Sequence, residues 1–131
     1  MIIYADSAGR IAADQLRGFF VGWPVAPSPE RHLKVLRASY AVEIALEGDA
    51  VVGFVTAISD GVLSAFIPLL EVLPEYQHRG IGTELVRRLL GRLDNLYMID
   101  LSCDAELEPF YSAPRLPDLD RGMGLRRREN L

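Results

Sequence analysis

Gln77-His78-Arg79-Gly80-Ile81-Gly82 brings together residue types suited to binding an anion. The run reads Q-x-x-G-x-G and lies between a strand-like stretch, Phe66 to Leu73, and a helix-like stretch, Ile81 to Leu93. Glycines at such a junction let backbone N–H groups point into a common hollow. The first N–H groups of a helix lack intrahelical partners and the helix dipole is positive there, so a phosphate or pyrophosphate is the expected guest. Two Gly-rich phosphate templates do not fit. No G-x-x-x-x-G-K-[ST] run is present, which excludes a P-loop. A dinucleotide fingerprint needs a third small residue after Gly-x-Gly, and Leu85 stands there.

Composition narrows the classes of function. The 131 residues fit a single domain spanning 1–131, half hydrophobic and 24% charged, as in a soluble globular protein. A net charge of −4 gives no basic field for nucleic acid and weakly favours a cationic substrate. Cys103 is the single cysteine, so no internal disulfide is expected, and its expected role is that of a small buried hydrophobe. Met1 to Asp6 lacks the basic-then-apolar order of a signal peptide, and no apolar run reaches the roughly 18 residues that span a bilayer. The expectation is a cytoplasmic protein that touches no membrane.

The elements that position the loop follow from patterning. Met1 to Ala5 reads as a first strand. Ile11, Leu16, Phe19 and Phe20 suggest an amphipathic helix over Ile11 to Phe20, broken by Gly22-Trp23-Pro24-Val25-Ala26-Pro27-Ser28-Pro29. Ser28 is placed to cap a second helix, with Pro29 at its first position and Arg31 to Ser39 following. His32 is expected on the exposed face of that helix. Tyr40 to Leu46, Ala50 to Ile58 and Val62 to Leu73 read as three strands joined by tight turns at Glu47-Gly48-Asp49 and Asp60-Gly61. Pro68 cannot donate to a ladder, so the third of these strands should carry an edge, bulge or break. Ile81, Leu85, Val86, Leu89, Leu90 and Leu93 form an apolar stripe opposite Arg87, Arg88 and Arg92. Leu96 to Cys103 reads as a further buried strand, and Ala105 to Ser112 as a short helix. The fold class is α/β (α+β): a mixed, mostly antiparallel central sheet flanked by helices, in the order β-α-α-β-β-β-α-β-α-β with a shortened C-terminal end.

From Leu70 to Leu85, through Pro74-Glu75-Tyr76-Gln77-His78-Arg79-Gly80-Ile81-Gly82, the chain resembles the GNAT superfamily of acetyl-CoA-dependent N-acetyltransferases. The likeness extends more loosely through Leu96 to Cys103 and Glu108-Pro109-Phe110-Tyr111. It implies acetyl-CoA as acyl donor, no metal, and a primary amine of a small molecule or peptide as acceptor, attacked directly in a ternary complex. Carried over residue by residue, the implied CoA-contacting set is Leu70, Val72, Leu73, Gln77, His78, Arg79, Gly80, Ile81, Gly82 and Thr83. Backbone N–H groups of Arg79, Gly80, Gly82 and Thr83 would hold the pyrophosphate, and a Cβ at Gly80 or Gly82 would obstruct its approach. Main-chain groups of Leu70, Glu71 and Val72 would pair with the pantetheine arm, one of them polarising the thioester carbonyl. Tyr111 matches the family's general acid, and a phenol is protonated at neutral pH. Glu71 is the nearest candidate to take the amine's proton, directly or through a water, with a solvated strand carboxylate as its plainer alternative. The other class open to the sequence is a non-catalytic CoA-binding regulatory module.

Trp23 is expected either to line the acceptor pocket or to pack its loop. His78 either touches a phosphate or is solvated, and Arg126-Arg127-Arg128 reads as a solvated strand end. One stretch departs from the family pattern. Ser112 to Arg121 intervenes before Met123-Gly124-Leu125-Arg126, which resembles the start of a strand. A shorter strand or a partner subunit would then complete the sheet. The expectation is a homodimer through the C-terminal region, and a monomer by light scattering at high micromolar concentration would count against it.

Overall fold

The computed structural model describes residues 1–103 and 123–127. Nine elements position the loop: β1 (Ile2–Ala5), α1 (Pro29–Ala38), β2 (Ala41–Glu47), β3 (Ala50–Ser59), β4 (Ser64–Ile67), β5 (Leu70–Val72), α2 (Ile81–Arg92), β6 (Met98–Cys103) and β7 (Met123–Arg127). The strands form one mixed sheet in the order β1-β2-β3-β4-β6-β7, with β5 pairing β3 beside that path. Pairings among β1 to β5 are antiparallel, whereas β4–β6 and β6–β7 are parallel. This is the expected mixed, mostly antiparallel sheet with flanking helices.

Local chemistry explains most boundaries. The Ser28 hydroxyl accepts the Arg31 N–H at 3.2 Å, and Pro29 opens α1. At the β3–β4 turn, Asp60 Oδ1 accepts the N–H groups of Val62, Leu63 and Ser64, which holds its carboxyl below the usual range. The predicted helix over Ile11 to Phe20 is instead a single 3-10 turn, Ala13–Gln15. Gly18, Phe20 and Gly22 all take positive φ, which ends any right-handed helix there. Ile11, Leu16, Phe19 and Phe20 are buried nonetheless, so the apolar spacing marked burial rather than helix.

Each face of the sheet carries its own core. Ile81, Leu85, Val86, Leu89 and Leu90 of α2 pack with Val52, Val55 and Ala57 of β3 and Ile67 of β4. On the other face Leu36 of α1 meets Leu16, Phe19, Phe20, Val42, Ile44 and Phe54. At the C-terminal end of α2, Arg92 reaches Glu43 Oε2 at 2.8 Å and also donates to the Val42 carbonyl. Burial pushes the Glu43 carboxyl up, and the Arg92 guanidinium opposes that shift. An Arg92→Leu variant is expected to lose about 2 kcal/mol of stability in urea unfolding, because it leaves a buried carboxylate without its cation.

The predicted last helix, Ala105 to Ser112, lies outside the described residues, as do Tyr111 and Arg128. Met123 to Arg127 is a strand, as its sequence suggested.

Candidate active site

The strand predicted from Val62 to Leu73 is two strands, and Pro68 and Leu69 separate them. β4 pairs with β3 through Ile58–Phe66 and Ser59–Ala65 and runs beside β6, the pairing ending at Ile67–Leu101. β5 pairs with β3 alone, through Gly53–Val72, Phe54–Glu71 and Val55–Leu70. Among the described residues no strand covers the other edge of β5, so a gap opens between β5 and β6. The Leu69 carbonyl accepts from Thr56 at 3.1 Å and the Leu73 N–H donates to Val52 at 2.9 Å. Antiparallel alternation therefore turns the main-chain groups of Leu70 and Val72 away from β3 and into the gap. Gln77 Nε2 donates to the Val72 carbonyl at 3.0 Å, tying the following loop to this edge.

Beyond β5 a 3-10 turn, Pro74–Tyr76, leads through Gln77, His78 and Arg79 to Gly80. His78 and Gly80 take φ of 64° and 82°. Gly80 is the N-cap of α2, and no side chain caps the helix. The first intrahelical bond runs from the Glu84 N–H to the Gly80 carbonyl at 3.1 Å. The N–H groups of Ile81, Gly82 and Thr83 precede it and have no intrahelical acceptor. A Cβ built on Gly80 meets nothing within 4 Å, so the hollow in front of the helix is open. Glu84, an acid in the first turn, is paired with Arg87 at 3.1 Å and Arg88 at 2.9 Å, which offsets its repulsion of an anion. The Arg79 guanidinium lies 5.0 Å from the centre of the Tyr76 ring and adds positive charge at the mouth. Gln77, His78, Arg79 and Gly80 are all exposed.

Ten of the predicted CoA-contacting residues are thus contiguous: Leu70, Val72 and Leu73 on or after the β5 edge, Gln77 to Gly80 in the loop, and Ile81, Gly82 and Thr83 at the helix start. Leu73 also borders an open cleft of about 600 Å³ with Arg10, Asp14, Arg17 and Asp49.

Glu71 is not a solvated strand carboxylate. Its oxygens accept the Phe20 N–H at 2.8 and 3.0 Å, and one also takes the Val21 N–H at 3.3 Å. The rings of Phe20 and Trp23 have centres 4.9 Å apart. His32 corrects a second expectation. It is 1% exposed, packed 4.4 Å from Phe54, 4.8 Å from Phe20 and 5.3 Å from Phe19 by ring centres. Among the described residues neither ring nitrogen has a hydrogen-bond partner, and burial pushes its pKa down to about 4. The Thr56 hydroxyl is likewise buried without a partner there. Sequence reasoning passed over the amides of Phe20 and Val21 as partners of Glu71. The glycines at 18 and 22 around Phe20 were the available signal.

Among the described residues the geometry is a helix start with no side-chain cap, next to a strand edge that no strand pairs. Residues 9–112 match the model of the acetyltransferase (GNAT) family. The chain belongs to the GNAT acetyltransferase family. A crystal structure of a proposed acetyltransferase from Deinococcus radiodurans R1 is 41% identical, covering 99% of this chain and 85% of that one with a TM-score of 0.83. The GNAT family protein SP0256 of Streptococcus pneumoniae TIGR4 is 33% identical, covering 85% of this chain and 83% of that one, with a TM-score of 0.70. Diaminobutyrate acetyltransferase EctA of Paenibacillus lautus, solved with L-2,4-diaminobutyric acid and coenzyme A, shares the fold at 15% identity and a TM-score of 0.63, covering 81% of this chain and 68% of that one. No curated protein matches the sequence. The GNAT family uses acetyl-CoA. Among the described residues of this GNAT chain, no three His, Cys, Asp or Glu side chains gather as a metal site, and no helix is long and apolar enough to cross a membrane.

Proposed function

We propose that this protein transfers an acetyl group from acetyl-CoA to a primary amine of a small molecule or peptide, by direct attack in a ternary complex. The observation that carries this reading is that, among the described residues, no side chain caps the start of α2 and no strand pairs the outer edge of β5. The amides of Ile81, Gly82 and Thr83, with those of Arg79 and Gly80, would receive the pyrophosphate, since each offers an N–H at the positive end of a helix dipole. The outward groups of Leu70 and the Val72 N–H would take the arm as an added strand, the Val72 carbonyl already accepting from Gln77. An N–H on this edge would stabilise negative charge developing on the thioester oxygen.

Acetyl-CoA supplies the activated acyl group. The chain supplies position and proton handling. Glu71 is the β5 carboxylate beside the aromatic cluster, and a negative charge there draws in a protonated amine. Three hydrogen bonds use three of its roughly four lone-pair directions, which leaves one for the amine's proton or a bridging water. Tyr111 would return a proton to the departing thiolate.

Calorimetric titration with acetyl-CoA and, in parallel, CoA tests the reading. Micromolar binding to both is the expected result, followed by thiol release on a panel of primary amines. A folded sample that binds neither would remove the acetyl-CoA assignment. Binding without turnover on any amine would instead favour a CoA-binding regulatory module.

A further inference from the structure

Glu71 does something more specific than present a charge. Phe20 stands at φ of 64°, a conformation a bulky residue rarely adopts and holds only when its surroundings fix it. Phe20-Val21-Gly22-Trp23 is a tight turn closed by the Trp23 N–H on the Phe20 carbonyl at 3.2 Å, with Gly22 at φ of 83° in the third position. Both oxygens of Glu71 approach the Phe20 N–H within 3.0 Å, so the carboxylate fastens the strained residue and the turn to β5. The turn carries Trp23, 38% exposed, against the buried ring of Phe20.

We propose that Glu71 is a positioning residue: its carboxylate clasps the Phe20–Trp23 turn and thereby sets the aromatic wall of the acceptor pocket. The acceptor pocket itself rests on the transferase reading; the clasp does not. Releasing the carboxylate frees two amides and removes the contact that holds Phe20 in the left-handed region. The turn then relaxes and Trp23 leaves its place against Phe20. A glutamine keeps one acceptor oxygen but turns an NH2 group toward the Phe20 N–H in place of the other, which loosens the clasp.

Trp23 is the single tryptophan of the chain, so its fluorescence reports the turn directly. In Glu71→Gln, Trp23 emission is expected to shift to the red and acrylamide quenching to rise, with far-UV circular dichroism unchanged. Gly22→Ala provides the second variant: it strains the turn and leaves the carboxylate in place, since the added Cβ meets nothing within 4 Å. It should shift Trp23 in the same direction. On an amine that turns over in the panel, Gly22→Ala, which leaves the carboxylate in place, should raise the amine KM about tenfold with kcat little changed, and Glu71→Gln should raise the amine KM at least as much. Parent-like emission and quenching in Glu71→Gln would overturn the clasp. So would a loss confined to kcat in Glu71→Gln with no change in Gly22→Ala, which would make Glu71 a proton acceptor only. The fluorescence needs no turnover, so its failure is distinct from failure of the transferase reading.

Discussion

A Gly80→Val variant is expected to bind acetyl-CoA about 100-fold more weakly than the parent, a loss of about 3 kcal/mol. Gly80 caps α2 at φ of 82°, where a β-branched residue is a steric outlier. Left-handed strain of about 1–2 kcal/mol drives the loop away from the conformation that aims its amides at one point. Each amide that then misses a charged oxygen forfeits about 1.5–3 kcal/mol. Among the described residues the branched side chain finds nothing in its way within 4 Å of the Cβ position. It therefore occupies the hollow itself rather than disturbing the core, and the circular dichroism spectrum should be unchanged. Calorimetric titration reads the effect; a parent-like affinity would place the pyrophosphate away from the loop. Tyr111→Phe is the complement. It is expected to bind acetyl-CoA as the parent does while turning over about 100-fold more slowly, the lower range for a lost general acid. Unchanged turnover would remove Tyr111 as the acid.

The second large effect is on stability in acid. His32 lies neutral among three phenyl rings, and burial pushes its pKa from 6.5 down to about 4. The unfolded chain takes up the proton near the ordinary value, while the native chain resists it. Between those two values the unfolded state binds more protons, so stability falls as pH falls through the window and is fully present above it. The gap between 6.5 and about 4 corresponds to about 3 kcal/mol. Glu43 works in the opposite sense, because its raised pKa lets the native state bind a proton more readily and its contribution is lost as pH rises through that value. A His32→Leu variant separates the two. It removes two buried nitrogens that have no partner among the described residues, at similar volume, so its stability at neutral pH should match or exceed that of the parent. The difference between parent and variant should then grow by about 3 kcal/mol on acidification, as measured by urea unfolding at each pH. Parallel pH profiles would show that His32 meets solvent or a partner in the native protein.

The chemistry of the loop was legible in the chain because it depends on neighbours in sequence. Q-x-x-G-x-G, the stripe from Ile81 to Leu93 and the Ser28-Pro29 start are signals of one or two turns, and the structure places them as read. The apolar residues from Ile11 to Phe20 show the limit of that logic. Their spacing fits a helix and they are buried, but Gly18, Phe20 and Gly22 in positive φ bend the segment into turns over the sheet.

The sequence by itself determined the family, the sheet-and-helix order around the loop, and a glycine-led helix start, because period, turn residues and glycine placement are local properties. Tertiary structure alone decided that β5 leaves the β4–β6 pairing at Pro68 and Leu69, since a proline announces a break without saying which neighbour is lost. It also decided that His32 faces three aromatic rings and that Glu71 holds amides some fifty residues away in the chain. Burial and long-range hydrogen bonds depend on which faces meet, and no spacing within one segment encodes that.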